Sequence, residues 1–272
     1  MEENITENVI LDFNSALTAL EKVSESFKVE TWIPSIASYL TFKELDAKQQ
    51  KSLLNAAMDT SVYNTSFIKA FYNILNENLL SEGVLIDSLT LTDKACIALT
   101  LRNQISNQIN VVFDETKDIS KKYDLNEILE KFKGYKTPET TILESKSNDF
   151  TLKVEVLLPT IKVETDYDSQ IKDNKKTEDL KNNEDIKKLV TDAFLGETSK
   201  FINKVWINDE EVILSSLKFE QRIKLIEKLP SNLIQKIIET ISLWKKELDE
   251  ILTVKHEEYV KTINIDSLLF LN

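Results

Sequence analysis

The chain has 272 residues, 42% of them hydrophobic and 29% charged, which is long enough for a sizeable core and outside the composition of a disordered polymer. Three glycines and four prolines leave few places for positive φ or a phosphate-cradling turn, and neither a GxGxxG nor a P-loop pattern occurs, so the common nucleotide-binding motifs are excluded. A formal net charge of −12 opposes binding to nucleic acid or an anionic membrane surface, no apolar run approaches membrane-spanning length, and the single cysteine, Cys96, excludes an intramolecular disulfide.

The opening MEENITENVILDF carries acidic and amide residues where a secretory leader would be basic and then apolar, and residues 1–30 are expected to form an N-terminal arm or helix. In ETWIPS, Pro34 favours an extended backbone before it, and Trp32 is a candidate anchor on another protein, although such aromatics more often mark packing. TFKELDAKQQKSLLNAAMD pairs Thr41 with Glu44 in a capping-box pattern, and Phe42, Leu45, Leu53, Leu54 and Ala57 recur near helical spacing. NTSFIKAFYNILNENLL sets Phe67, Phe71, Ile74, Leu75 and Leu79 on one broad apolar face, with Gly83 soon after it as a terminator. A short helix bundle is expected.

TDKACIALTLRNQI starts with Thr92 as the expected N-cap and Asp93 where the helix dipole favours an acid, and its apolar interior predicts a central helix. Cys96 inside it reads as a buried structural thiol, because no histidine or helix-start position would lower its pKa. Arg102 ends the helix. Either it forms a buried pair with Asp93 or an acid of a neighbouring unit, or it stands exposed where the dipole favours a cation.

After Asn107 the period changes. QINVVF is a strand candidate, DETKDISKK a charged turn, and KYDL a second strand running into the helix NEILEKF, with Pro138 ending the unit. FTLKVEVLLPTIKVET, residues 150–165, is the most strand-like stretch: Phe150, Leu152, Val154, Val156 and Leu158 share a face, and Ile161 and Val163 carry the alternation onward. Pro159 cannot donate to a ladder, so the ribbon is expected to bend there or to lie at a sheet edge with its Pro159 side open to a neighbour.

DYDSQIKDNKKTEDLKNNEDIKK, residues 166–188, is nearly all polar and predicts an exposed loop, then a helix from about Thr177 or Asn183. Its lysines are interleaved with acids, so it is no basic patch. Leu189, Val190, Phe194, Phe201, Ile202, Val205 and Trp206 restore an apolar face. Phe219, Ile223, Ile226 and Leu229 lead to Pro230, and SNLIQKIIETISLWKKELDEIL reads as a long amphipathic helix. VKHEEYVK, with the single histidine His256, is the turn of a C-terminal hairpin. KYDLNEILEKF and KTINIDSLLFLN share a pattern at a separation of 140 residues, which suggests two similarly built modules.

These elements predict an α+β fold, mostly helical, with short antiparallel hairpins and a small β-sheet. The expected units are an arm or helix over 1–30, a helical domain with a hairpin over 31–145, and a strand ribbon, polar linker and C-terminal helical module with terminal hairpin over 146–272. No constellation carries chemistry. One histidine cannot supply an HExxH or triad site, Glu210–Glu211 and Asp249–Glu250 are chance carboxylate pairs, and DYD lacks the glycine and closing glutamate of an EF-hand loop. Catalytic, cofactor-binding and metal-ligating residues are therefore expected to be none, and the chain reads as a non-enzymatic binding protein.

WIPSIASYLTFKELDAKQQKSLLNA, followed by SLTLTDKACIALTLRNQIS, resembles the baseplate-hub assembly proteins of T4-like contractile-tailed bacteriophages. The family's order of features falls here on Pro34, on Leu89 through Arg102, on Val111 through Leu125, on Leu158 with Pro159, and on Ile251 through Phe270, covering most of the chain after residue 30. Some relatives carry cysteine pairs in the two hairpins, where zinc would stiffen the turn; DETKD and KHEEY stand there instead, so no metal is inferred. The resemblance implies a structural protein of the phage tail baseplate hub, or a transient assembly chaperone absent from the mature virion. Its partners would be baseplate hub, spike or tape-measure proteins, without nucleic acid or membrane, and pairing with its own copies stays open. Its place would be the host cytoplasm during assembly and the virion tail baseplate if retained. An acidic host-directed adaptor is the alternative. Candidate contact residues are Trp32, Pro34, Arg102, Val154 and Pro159.

Overall fold

In a computed structural model describing residues 12–58, 65–147, 149–174, 191, 193–265 and 269, the chain is α+β, with helices packed on small antiparallel sheets. Asp12 caps helix α1 (Phe13–Ser26) by accepting from the N–H groups of Asn14 at 2.9 Å and Ser15 at 3.0 Å. Strands β1 (Lys28–Ile33) and β2 (Ser38–Lys43) then form a hairpin around a 3-10 turn at Pro34–Ile36. This hairpin corrects the expected helix start at Thr41. Leu40 and Phe42 alternate into the core as strand residues, and the cap belongs to Asp46, whose carboxylate accepts from the Gln49 N–H at 2.7 Å to begin α2 (Ala47–Ala57).

Helix α3 (Thr65–Asn78) buries Phe67, Phe71, Ile74 and Leu75, and Gly83 at φ 76° makes the turn after it. Helix α4 (Leu91–Ile105) is buried on all sides over its middle turns. Its N-cap is Thr90, two residues before the expected Thr92. The Asp93 carboxylate accepts from the Thr90 N–H (2.7 Å) and hydroxyl (2.8 Å), and its other oxygen from the Ser35 N–H at 2.9 Å. One acid thus closes a helix start and ties the β1–β2 turn to it. Strands β3 (Gln108–Asp114) and β4 (Ile119–Asp124) and helix α5 (Leu125–Phe132) follow as the sequence pattern indicates.

Strands β5 (Thr141–Lys146), β6 (Thr151–Val156), β7 (Ile202–Ile207) and β8 (Glu210–Ile213) form one antiparallel sheet in the order β5-β6-β7-β8. The predicted ribbon is cut short. After Pro159 the chain turns into helix α6 (Ile161–Asn174), where alternation and then a loop from Asp166 were expected. The Thr160 hydroxyl accepts from the Val163 N–H at 3.3 Å, while Leu91 N–H to Pro159 O (3.1 Å) and Ile161 N–H to Leu89 O (2.8 Å) pin the switch to the start of α4. A Lys162–Asp166 pair at 3.0 Å supports the first turns. The helix starts expected near Thr177 or Asn183, and Leu189 and Val190, lie outside the described residues.

β6 is an interior strand, so the sheet edges are β5 and β8, and Pro159 is buried between the sheet and α4. Strands β7 and β8 were not expected. They meet through Asn208 and Asp209, both at positive φ (51° and 71°), the two-residue turn that matches strand twist. Helix α7 (193–199), α8 (Phe219–Ile226) and α9 (Ser231–Leu252) cover the sheet side of the molecule. Gly196 lies inside α7 and not at a helix end or turn, facing Tyr167 and Phe219.

Among the described residues two large apolar cores result, with a small third cluster of Tyr167, Phe219 and Ile223. The first takes in Val29 through Ile161 and also Leu252, Val254, Ile263 and Leu269; the second joins Val154, Val156 and Val205 to Leu233, Ile237, Ile241 and Trp244. Helix α9, about 33 Å long at 1.5 Å per residue, serves both. Strand β5 spans residues 145 and 146 and pairs with β6, and the last hairpin, β9 (Thr253–His256) with β10 (Tyr259–Thr262), returns to the first core. There it meets β3–β4, through Tyr123 Oη–H to Lys255 O at 2.7 Å and the Phe113 ring against His256 (5.8 Å) and Tyr259 (6.4 Å). His256 is a strand residue in an aromatic cluster, and the turn itself is Glu257–Glu258.

Candidate protein-binding site

Of the five contact residues named from sequence, only Trp32 keeps part of its surface. Its ring stands edge-on to Tyr39, 5.2 Å between centroids, and its indole N–H is buried with no acceptor among the described residues. Pro34 is buried beneath the first turn of α4, held there by the adjacent Ser35–Asp93 bond. Pro159 converges on the same turn through its carbonyl. Val154 is fully buried, flanked in the sheet by Leu143 and Val205. Pro34 and Pro159 thus organise the start of α4, and neither they nor Val154 is presented to a partner.

The exposed alternative for Arg102 does not hold, and Asp93 is not its partner. It is buried, and its guanidinium donates to the carbonyls of Leu269 (3.0 Å), Ser106 (3.0 Å) and Gln108 (3.4 Å). Asp93 is nine residues away on the same helix, about 13.5 Å along the axis, and is committed to the other end. Arg102 therefore closes the C-terminus of α4 and clips the segment after β10 to it, and burial lowers its pKa from the usual arginine value. Cys96 is buried, and the loss of solvation pushes its thiol up to about 12.

An apolar groove lies elsewhere, where three distant segments converge: the β5–β6 turn, the end of β7 and the α8–α9 corner. It is an open groove of about 500 Å³ whose apolar walls include Phe150, Leu152, Val205, Ile207, Leu229 and Pro230. Phe150 is 59% exposed and Ile207 45% exposed, so the apolar surface is continuous with the outside. Phe150 was expected to face inward; it stands before the first residue of β6, in a turn where Ser147 N–H bonds the Phe150 carbonyl at 2.8 Å. The wall is fixed by Asn208, whose side-chain oxygen accepts from Thr151 N–H at 2.9 Å and whose own N–H returns to Thr151 O at 2.9 Å. Lys146 and Lys228 stand at the rim. An apolar floor with a polar, cationic rim is the anatomy of a small protein-contact site.

A smaller cleft of about 240 Å³ lies between α4, α9 and the segment after β10. Lys94 and Glu164 line it, and their largely buried ion pair joins α4 to α6. The two charges answer each other and leave the cleft a structural joint. Among the described residues no group of three histidine, cysteine, aspartate or glutamate side chains is placed to hold a metal ion, and no helix is long and apolar enough to cross a membrane. The groove was missed in the sequence because its walls come from three segments. The signal that could have pointed to it is the Asn208–Asp209 turn, which implies a hairpin and so an exposed Ile207 at its end. No family model, curated protein or solved structure matches the chain.

Proposed function

We propose that this chain is a non-enzymatic assembly factor of a phage tail baseplate hub, acting through protein-protein contacts with hub, spike or tape-measure proteins. The ordered resemblance from Pro34 to Phe270 supplies the place of action, and the groove at Phe150, Ile207 and Pro230 supplies the means. The groove is the observation that carries the reading. It would take one large apolar side chain of a partner, with binding driven by area removed from water at about 25 cal/mol per Å². The net charge of −12 limits nonspecific contact with other acidic chains.

The test is cross-linking in infected cells with tagged full-length chain, followed by mass spectrometry of the captured partners. Cross-links to hub, spike or tape-measure proteins are expected, and they should fall sharply in an Ile207→Asp variant that remains folded. Capture of no tail protein would overturn the reading. Mass spectrometry of purified virions then separates a retained hub component from a transient chaperone.

A further inference from the structure

The groove at Phe150, Ile207 and Pro230 carries charge of opposite sign to the chain as a whole. The protein has 46 acidic residues against 34 lysines and arginines, yet no acid lines the groove, and its two charged lining residues are Lys146 and Lys228. Asp149 and Glu227 precede lining residues in the chain without lining the groove themselves, and Asp209, beside the Asn208 turn, is held by Lys153 at 2.9 Å. Lys228 is exposed and has no ion-pair partner among the described residues. Lys146 meets Glu144 at 3.1 Å with both side chains in water, 66% and 37% exposed, the kind of surface pair that an incoming carboxylate replaces at little cost. Pro230 adds to the same field. It is the N-cap of α9, so the groove ends at the positive end of a 22-residue helix that has no side-chain cap and no acid in its first turn.

We propose that the groove receives an extended segment of a partner protein in which one large apolar side chain is flanked by aspartate or glutamate. The apolar side chain fills the space between Phe150, Ile207 and Leu229, and the carboxylates meet Lys146 and Lys228 at the rim. Repulsion from the chain's other acids is screened over about 8 Å at physiological salt, whereas the rim lysines act in contact. A free fatty acid has the same chemistry, and the groove does not suit it. Phe150 is 59% and Ile207 45% exposed, so walls open to water would leave most of an acyl chain unburied, where a small-molecule pocket encloses its ligand. The inference deepens the assembly-factor reading and rests on it only for the groove's being a protein-contact site.

The test titrates full-length chain by calorimetry with blocked hexapeptides that share a central Leu-Phe pair and carry either two glutamates or two lysines on each side. The glutamate peptide is expected to bind at least about tenfold more tightly than the lysine peptide, and less tightly as salt rises. Its affinity should fall by about tenfold or more when Leu-Phe becomes Ala-Ala, or when the chain carries Ile207→Asp. Lys228→Glu should narrow or reverse the preference between the two peptides, an exchange that a loss of folding does not produce. Equal binding of the two peptides, tighter binding of the lysine peptide, no binding of either, or a preference untouched by Lys228→Glu overturns the proposal. So does displacement of the glutamate peptide by an equal concentration of laurate, because the occupant is then a free amphiphile, and so does self-association of the chain that Ile207→Asp abolishes, because the occupant is then a second copy. If the glutamate peptide fails while Ile207→Asp still removes cross-links to tail proteins, the acidic-segment inference falls and the hub reading stands. If the peptides behave as expected and no tail protein is captured, the hub reading falls and this inference stands.

Discussion

Replacing Gly196 with alanine sets two known effects against each other. In a helix interior alanine is favoured over glycine by about 0.8–1 kcal/mol, so on helix propensity alone the change stabilises. The site is full, however. A Cβ at Gly196 would lie 2.8 Å from Tyr167 Cζ and 2.9 Å from Phe219 Cε2, well inside van der Waals contact. Tyr167 is buried, with the Phe219 ring edge-on at 5.4 Å and the Lys200 ammonium 4.9 Å from its centroid, so the ring cannot step aside without moving α6 against α7. Overpacking costs about 1–3 kcal/mol; with three heavy atoms inside 3.0 Å of the added Cβ the cost falls in the upper half, about 2–3 kcal/mol, and exceeds the propensity gain by about 1–2 kcal/mol. For a chain of this size that lowers Tm by roughly 2–8 °C. Urea unfolding followed by far-ultraviolet circular dichroism should show a lower midpoint at unchanged slope. Gly134→Ala is the control, because its added Cβ meets only Lys131 O at 3.6 Å. A Gly196→Ala chain as stable as the parent, or more so, would refute the argument.

Val154→Asp places a carboxylate between Leu143 and Val205 in the second core, and at a cost above about 4 kcal/mol the cooperative melt should disappear; full thermal stability would show that its inward face is misassigned. Arg102→Gln strips charged donors from three carbonyls and should cost about 2–4 kcal/mol in urea unfolding, with Arg102→Lys recovering only part because an ammonium cannot span the three acceptors. Cys96, its thiol pushed up to about 12 by burial, should resist iodoacetamide near neutral pH in the folded chain and react at the ordinary thiol rate once denaturant is added. Rapid alkylation of the native protein would place it nearer the surface. Ile207→Asp should cost about 1 kcal/mol, since the side chain is 45% exposed and aspartate is disfavoured in a strand, while removing partner cross-links at the groove.

Elements whose signal is local and strong were legible: the apolar faces of α3 and α9, the buried run of α4, and the β3–β4 and β9–β10 hairpins. Those decided by distant partners were not. Ile161 and Val163 continue a strand period, yet Pro159 and Ile161 are tied to Leu91 and Leu89, and that attachment starts a helix. Thr41 and Glu44 make a plausible cap, but Leu40 and Phe42 gain more by burial as strand residues paired with Thr31 and Val29. The contact residues fared by the same rule. Residue type picks out good anchors, and Pro34, Val154 and Pro159 are anchors of the fold itself. The groove has no local pattern, since residues near 150, 207 and 230 become neighbours only after the sheet and the α8–α9 corner form.

The return of the last hairpin to the first core sets the order in which the molecule can mature. Leu252, Val254, Ile263 and Leu269 fill a core whose other members all lie at or before Ile161, so during synthesis that core waits, open, for residues that leave the ribosome long afterwards. Such late closure of distant contacts is slow and leaves oily surface uncovered in the meantime. A product truncated before β9 would keep that wound permanently and be an easy target for proteases. Burial of the first core thus depends on residues as late in the chain as Leu269, so its last layer of packing is also the last to be made.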